Sequence, residues 1–114
     1  MPLVRLETNG IVPEEKFGAL KERLRVSVAG VLGERVEEMR VELAVGSKMR
    51  MADSDEPLAH VTVKGVEFPK DRAPELTGVI CPLLDSLLGI RDNRVYIAVV
   101  STRNSMWRVN GDSR

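Results

Sequence analysis

The chain has 114 residues, of which 43% are hydrophobic and 30% are charged, a composition that fits one folded domain and excludes a wholly disordered chain. Its 17 basic and 17 acidic residues give a formal net charge of zero, which argues against nucleic acid or an anionic membrane as a partner. No apolar run reaches the roughly 18 residues of a membrane-spanning helix, and no secretory leader is recognisable. We therefore expect a cytoplasmic protein; secretion without a signal peptide remains an open alternative.

Cysteine and histidine each occur once, as Cys81 and His60. A single cysteine cannot form an intramolecular disulfide, and one histidine offers no recognisable metal-ligand spacing. We interpret Cys81 as a small buried hydrophobe and His60 as a strand residue at the surface or at an interface. The sequence predicts no metal ion and no other cofactor.

The first half of the chain predicts a strand, a helix and a second strand. Apolar and charged side chains alternate over residues 2–8, and Asn9-Gly10 ends this strand because both residues tolerate left-handed backbone angles. A helix begins at Pro13 and ends near Gly33. Its buried stripe consists of Phe17, Leu20, Leu24, Val28 and Val31. Alternation over residues 38–45 predicts the second strand.

The second half repeats this order after a polar linker at residues 46–57 that contains Met49 and Met51. A β-branched run predicts a strand over residues 58–66, and helical spacing of apolar residues predicts a helix within 71–88. An interior Pro82 costs on the order of 3 kcal/mol, so we expect a kink or a late helix start. Residues 94–101 predict a fourth strand with two nearly apolar faces, and the tail predicts a short strand and a turn.

The strand–helix–strand order recurs with a period of roughly 56 residues, as duplicated units do. The repeated segments are residues 2–45 and 58–101. Two βαβ units predict an α+β domain spanning residues 1–114, with a four-stranded mixed sheet and both helices on one face. The other face is then expected to be apolar and to be buried in a closed, symmetric oligomer.

Pro2 is the candidate catalytic base. Removal of Met1 would leave a secondary amine at the start of the first strand. An α-amino group titrates at roughly pH 8, and burial in an apolar pocket favours its neutral, proton-accepting form. The alternative is a proline that merely follows the start codon.

Four segments carry a resemblance to a known family. They are MPLVRLETN at the start, LGER after the first helix, MRMADSDEPLAHVTVKGV in the middle, and LLGIRDNRVYIAVV, followed by MW, near the end. Over nearly its whole length the chain resembles the macrophage migration inhibitory factor family of the tautomerase superfamily. The resemblance implies a homotrimeric barrel with sites between subunits. It also implies cofactor-independent keto–enol tautomerisation of compounds such as phenylpyruvate or a dopachrome-like substrate.

The resemblance also implies which residues form the site. Pro2 matches the family's catalytic base, and Tyr96 matches a site tyrosine that the neighbouring subunit contributes. Val66 matches an isoleucine that lines the pocket, and Trp107 matches a tryptophan near its mouth. The structural alternatives are a packed strand residue for Tyr96 and core or interface filling for Val66 and Trp107.

Three expected contacts are absent. Glu34 occupies the position of the family lysine that holds the substrate carboxylate, Glu38 replaces an aromatic residue, and Ala98 replaces an asparagine. The CxxC motif is also missing, so we predict no thiol oxidoreductase activity.

A positive charge for the substrate could come instead from Arg35, Lys64 or Arg108, although the pattern favours a solvated surface residue at each position. Two functions stay open: a tautomerase, or a weak or inactive cytokine-like trimer that binds a receptor protein.

Overall fold

The computed structural model describes residues 2–103, 108–109 and 112–113. Two helices are present, α1 (Glu14–Leu32) and α2 (Ala73–Leu88). The main strands are β1 (Leu3–Thr8), β2 (Arg40–Ala44), β3 (Ala59–Val66) and β4 (Val95–Thr102). Two short strands follow, β5 (Arg108–Val109) and β6 (Asp112–Ser113). Single 3₁₀ turns at Val36–Glu38, Lys70–Arg72 and Asp92–Arg94 precede β2, α2 and β4.

The four main strands form one mixed sheet in the order β2-β1-β3-β4. β1 lies parallel to β2, β3 lies parallel to β4, and the two pairs meet through antiparallel β1 and β3. A single helix connects the strands of each parallel pair, as parallel pairing requires. The predicted fold of two βαβ units in one mixed sheet is confirmed.

The core lies between one face of the sheet and the two helices. Alternate residues of the central strands are fully buried there, among them Val4, Leu6, Val61 and Val63. The helices contribute the leucines and isoleucine of their apolar stripes, namely Leu20, Leu24, Leu76, Ile80 and Leu84. Both helices end at a glycine in the left-handed conformation, Gly33 (φ 70°) and Gly89 (φ 68°), as their sequences predict.

The structure differs from the sequence-based prediction in helix α2 and at the start of strand β2. Helix α2 begins at Ala73 and continues through Pro82, so the helix does not start late. Pro82 and Gly78, whose carbonyl would have accepted the missing hydrogen bond, are both exposed, and water can therefore satisfy that carbonyl. Strand β2 begins at Arg40 because the 3₁₀ turn occupies the preceding residues, where the sequence predicts strand.

The sheet face opposite the helices, called the open face below, is only partly apolar, which corrects the expectation. Its β1 and β2 half carries a charge network: Arg5 contacts Glu42 (3.3 Å) and Glu7 (3.5 Å), and Arg40 contacts Glu42 (2.9 Å). The β4 half is the apolar one, where Tyr96 and Val100 are exposed. Burial by a partner is therefore most favourable along β4.

No helix among the described residues is both long and apolar enough to cross a membrane.

Gly65 permits a close approach between β3, Leu32 of α1 and Phe68. A Cβ atom at this position would lie 3.0 Å from Phe68 Cβ and 3.1 Å from Leu32 Cδ2. We expect Gly65→Ala to lower the free energy of unfolding by about 1–3 kcal/mol through overpacking. Urea denaturation measures this change.

Gly78→Ala is the matched control, because nothing lies within 4 Å of a Cβ at that exposed helical position. It should raise the free energy of unfolding by about 0.5–1 kcal/mol. Equal effects of the two substitutions would contradict the packing argument.

Candidate active site

Pro2 lies buried at the start of β1, at the same end of the sheet as the end of α1. Its carbonyl accepts a hydrogen bond from the backbone N–H of Arg40 (3.1 Å), which ties the N-terminus to β2. Leu3 is opposite Lys64, so the ladder places Pro2 beside Gly65, the position against which Leu32 packs. Pro2 is therefore buried beside β3 and the end of α1, and its role as a base stays a prediction.

Two of the predicted substrate-binding residues lie at this end. Lys64 is half-buried on the open face, one ladder position from Pro2, and Val66 ends β3 opposite Thr102. Arg35 follows α1 but is 76% exposed and forms an ion pair with Glu37 (3.7 Å). Val66 and Lys64 are thus close to Pro2 along the sheet, whereas Arg35 projects into solvent.

Tyr96 lies at the other end of the sheet. It pairs with His60 in the ladder, and His60 in turn pairs with Glu7. Glu7 is five residues along β1 from Pro2, a rise of about 16 Å. Tyr96 is also 62% exposed. One chain therefore does not bring Pro2 and Tyr96 together.

Two predicted site residues lie wholly or partly outside the described part of the chain. Trp107 lies outside the described residues, and only the backbone of Arg108 is described, as the first residue of β5. Their roles stay predictions.

Tyr96 borders a groove of about 310 Å³. The groove is lined by Met49, Arg50, Met51, Leu58, Ala59, His60 and Tyr96. The His60 and Tyr96 rings lie 5.2 Å apart at 53°, a tilted aromatic contact that restricts the tyrosine. The sequence places both methionines in the polar linker at residues 46–57, but it does not single out Arg50, because a charged loop residue has no periodic signal.

His60 is unusual in its polar contacts. Its Nδ1 is 3.9 Å from Glu7 Oε1, too far for a hydrogen bond, and its buried Nε2 has no hydrogen-bond partner among the described residues. Within the described ranges, no cluster of three His, Cys, Asp or Glu side chains could hold a metal ion.

Arg94 anchors the loop that forms one wall of this groove. It is 9% exposed, and its guanidinium donates hydrogen bonds to the carbonyls of Met51 (2.7 Å), Glu56 (2.8 Å), Ser54 (3.1 Å) and Pro57 (3.5 Å). All four belong to the β2–β3 loop, residues 45–58. Arg94 is therefore the positioning residue for the loop that carries the two groove methionines.

The loop needs this support because its turn is strained. Met51 and Ser54 exchange two backbone hydrogen bonds of 3.1 Å each, and the residues between them have positive φ angles, 53° at Ala52 and 56° at Asp53. Neither is glycine, so the turn is costly without tertiary contacts. Asn9 adds a second attachment, since its Oδ1 accepts the Leu58 N–H at 3.0 Å.

Cys81 lies in a different groove, of about 570 Å³, between α2 and the start of β4. It is half-buried, not fully buried as predicted. Burial raises the pKa of its thiol, and the negative charge of Asp92 adds to that effect. A thiol with a raised pKa is a poor nucleophile at neutral pH.

The architecture defines a class of protein: two βαβ units in a mixed sheet, with a buried proline before β1 and an exposed tyrosine, Tyr96, at the opposite end of the sheet. The family model for macrophage migration inhibitory factor matches residues 1–113. The chain therefore belongs to the macrophage migration inhibitory factor family.

Solved structures support the fold. A macrophage migration inhibitory factor homologue from Prochlorococcus marinus superposes with a TM-score of 0.90 at 23% identity, covering 97% of each chain. Macrophage migration inhibitory factor of Toxoplasma gondii also gives 0.90, at 18% identity, covering 98% of this chain and 99% of that one.

Pt0534, solved after inactivation by 2-oxo-3-pentynoate, gives a TM-score of 0.84 at 19% identity, covering 97% of this chain and 95% of that one. A search of curated proteins finds no match.

The Arg94 network leads to a stability prediction. Arg94→Ala leaves four loop carbonyls without their charged donor, and we expect the free energy of unfolding to fall by about 2–4 kcal/mol. Thermal and urea denaturation measure the loss, and Arg94→Lys should restore only part of it.

Arg91→Ala is the control, since Arg91 is exposed three residues earlier. Its effect should stay within about 0.5 kcal/mol. If the two alanine variants unfold alike, Arg94 does not anchor the loop.

Proposed function

We propose that the protein is a cofactor-independent keto–enol tautomerase that acts as a homotrimer on small substrates of the phenylpyruvate or dopachrome type. The observation that carries the proposal is the position of Pro2: a buried proline directly before β1, in a chain whose family is established. Once Met1 is removed, the Pro2 nitrogen is the catalytic base.

The proposed reaction is a proton transfer between carbon and oxygen. The Pro2 nitrogen accepts a proton from the carbon next to the substrate carbonyl, and the C–H electrons form the carbon–carbon double bond of an enolate. The same nitrogen returns the proton to the enolate oxygen, which completes the enol. Tyr96 donates a hydrogen bond to that oxygen and stabilises its negative charge.

The distance between Pro2 and Tyr96 within one chain supports an active site that is formed by two subunits. A site that uses both residues needs two subunits, because they lie at opposite ends of one sheet. Strand β4 is an edge strand with exposed Tyr96 and Val100, a surface that a neighbour could cover. In the proposed trimer, each of three sites combines Pro2 of one subunit with Tyr96 of the next.

Substrate recognition involves residues near Pro2 in this proposal. Val66 lines the pocket and Lys64 offers a positive charge, while Trp107, Arg35 and Arg108 are candidate substrate contacts on the family resemblance alone. The inactivated structure of Pt0534 adds chemical support, since 2-oxo-3-pentynoate is a 2-oxo acid with an electrophilic alkyne. A neutral secondary amine is the kind of nucleophile that adds to such an alkyne.

A test of the base starts with the N-terminus. Mass spectrometry should show a protein without Met1 that turns over phenylpyruvate, and Pro2→Gly should lower kcat at least about a hundredfold. 2-Oxo-3-pentynoate should add one equivalent to Pro2, as peptide mapping would show. Pro69→Gly, at an exposed proline, is the control and should keep full activity. Unchanged activity of Pro2→Gly would refute the proposed base.

The shared site predicts complementation between two inactive variants. Pro2→Gly and Tyr96→Ala subunits, refolded together in equal amounts, should regain about a quarter of the sites, because each site then draws its two residues independently. Sedimentation should show trimers in every sample. If both residues acted within one chain, the mixture would stay inactive.

The second candidate is a catalytically weak or inactive cytokine-like trimer that binds a receptor protein. Glu34 favours it, because an acid half-buried at the end of α1 repels an anionic substrate near Pro2. Ala98 favours it too, since alanine cannot donate a hydrogen bond. Purified trimer without Met1 that turns over neither phenylpyruvate nor a dopachrome ester would establish this alternative over the enzyme.

A further inference from the structure

The groove beside Tyr96 contains a positive charge that the family resemblance does not predict. Arg50 lines it together with apolar and aromatic side chains. We infer that Arg50 binds the substrate's carboxylate and so takes the role for which the sequence offers no lysine at position 34. This inference rests on the proposed function and names the residue that recognises the carboxylate of its substrate.

The groove matches the three parts of such a molecule. Met49, Met51 and Leu58 supply an apolar wall for an aryl group, and methionine adapts well to aromatic rings. Tyr96 supplies a hydroxyl donor for the carbonyl oxygen. Arg50 supplies a planar guanidinium, which binds a carboxylate through two parallel hydrogen bonds. A volume of about 310 Å³ is sufficient for a molecule of this size.

Other described cations are less suitable partners for a carboxylate at Tyr96. Arg94 uses its guanidinium on four loop carbonyls, and Arg5 and Arg40 share Glu42 on the open face. Lys64 is four ladder positions from His60, at the Pro2 end of β3. Arg50 lines the same groove as Tyr96, and it also lines a neighbouring groove together with its ion-pair partner Asp55.

Arg50 is held in place but not neutralised. Its Nη2 donates to the Asp53 carbonyl at 3.2 Å, which fixes the guanidinium against the loop. Its Nε is 3.6 Å from Asp55 Oδ1, and both side chains are mostly exposed, 65% and 78%. Exposed pairs of this kind contribute little and exchange readily, so a substrate carboxylate can displace Asp55.

The test compares a charged and an uncharged substrate. For phenylpyruvate, Arg50→Ala should lower kcat/KM roughly tenfold, the cost of one charge-assisted contact of about 1.4 kcal/mol. For the methyl ester of phenylpyruvate, the change should stay within about twofold, since the ester has no charge to lose. Arg50→Lys should recover part of the preference for the acid.

Two further variants complete the test: one should raise kcat/KM for the acid, and the other is a control. Asp55→Asn removes the competing carboxylate and should raise kcat/KM for phenylpyruvate but not for its ester. Lys48→Ala removes the same charge from the same loop at an exposed position outside the Tyr96 groove, and it should leave the acid-to-ester ratio unchanged. An equal loss for both substrates in Arg50→Ala, or the same selectivity change in Lys48→Ala, would overturn the inference.

A binding measurement tests the Arg50 site independently of the proposed reaction. Cinnamate and methyl cinnamate carry the same aryl group with and without a carboxylate, and neither needs turnover. Titration followed by NMR should show that Arg50→Ala weakens cinnamate alone. If the wild-type protein lacks tautomerase activity but cinnamate binding still depends on Arg50, the reaction fails and the carboxylate site stands. Binding that is independent of Arg50 refutes the site.

Discussion

The antiparallel pairing of β1 with β3 is the constraint on which the rest of the molecule depends. It joins the two βαβ units into one sheet and sets Leu3 opposite Lys64 and Glu7 opposite His60. Because β4 follows β3 in parallel register, the same pairing places Tyr96 at the end of the sheet away from Pro2. A shift of one residue would turn Val4 and Leu6 out of the core, so the hydrophobic effect fixes this register strongly.

This register also divides the open face into two chemically different halves. Arg5, Arg40, Glu7 and Glu42 satisfy one another on β1 and β2, where they remain partly accessible to water. On β4 the exposed side chains of Tyr96 and Val100 have no such charged partners. The sheet therefore combines a polar surface that is stable in water with an apolar edge suited to a neighbouring subunit.

In the proposed tautomerase site, the positive charge for the substrate comes from the β2–β3 loop and not from the end of α1. Pro2 retains the buried setting expected of the base, while the helix-terminal position that would hold a cationic partner carries Glu34. The β2–β3 loop offers Arg50 in compensation, at the other end of the sheet and beside Tyr96. Arg94 positions the loop that carries Arg50, since its four hydrogen bonds hold a turn with two non-glycine residues at positive φ. Under the proposal, loop anchoring and substrate recognition are therefore linked.

The sequence by itself determined the order of strands and helices, the mixed sheet and the glycine helix ends. It also singled out Pro2 as the candidate catalytic base. Those features depend on local periodicity, on backbone preferences of single residues and on motif matches, all of which are visible along the chain. Tertiary structure alone decided the charged half of the open face, the separation of Pro2 from Tyr96, and the groove that joins Arg50, His60 and Tyr96. It also decided the burial of Arg94, whose hydrogen bonds reach back about 40 residues to the β2–β3 loop. Contacts between a side chain and distant backbone carbonyls leave no periodic pattern, so they exist only once the strands have paired.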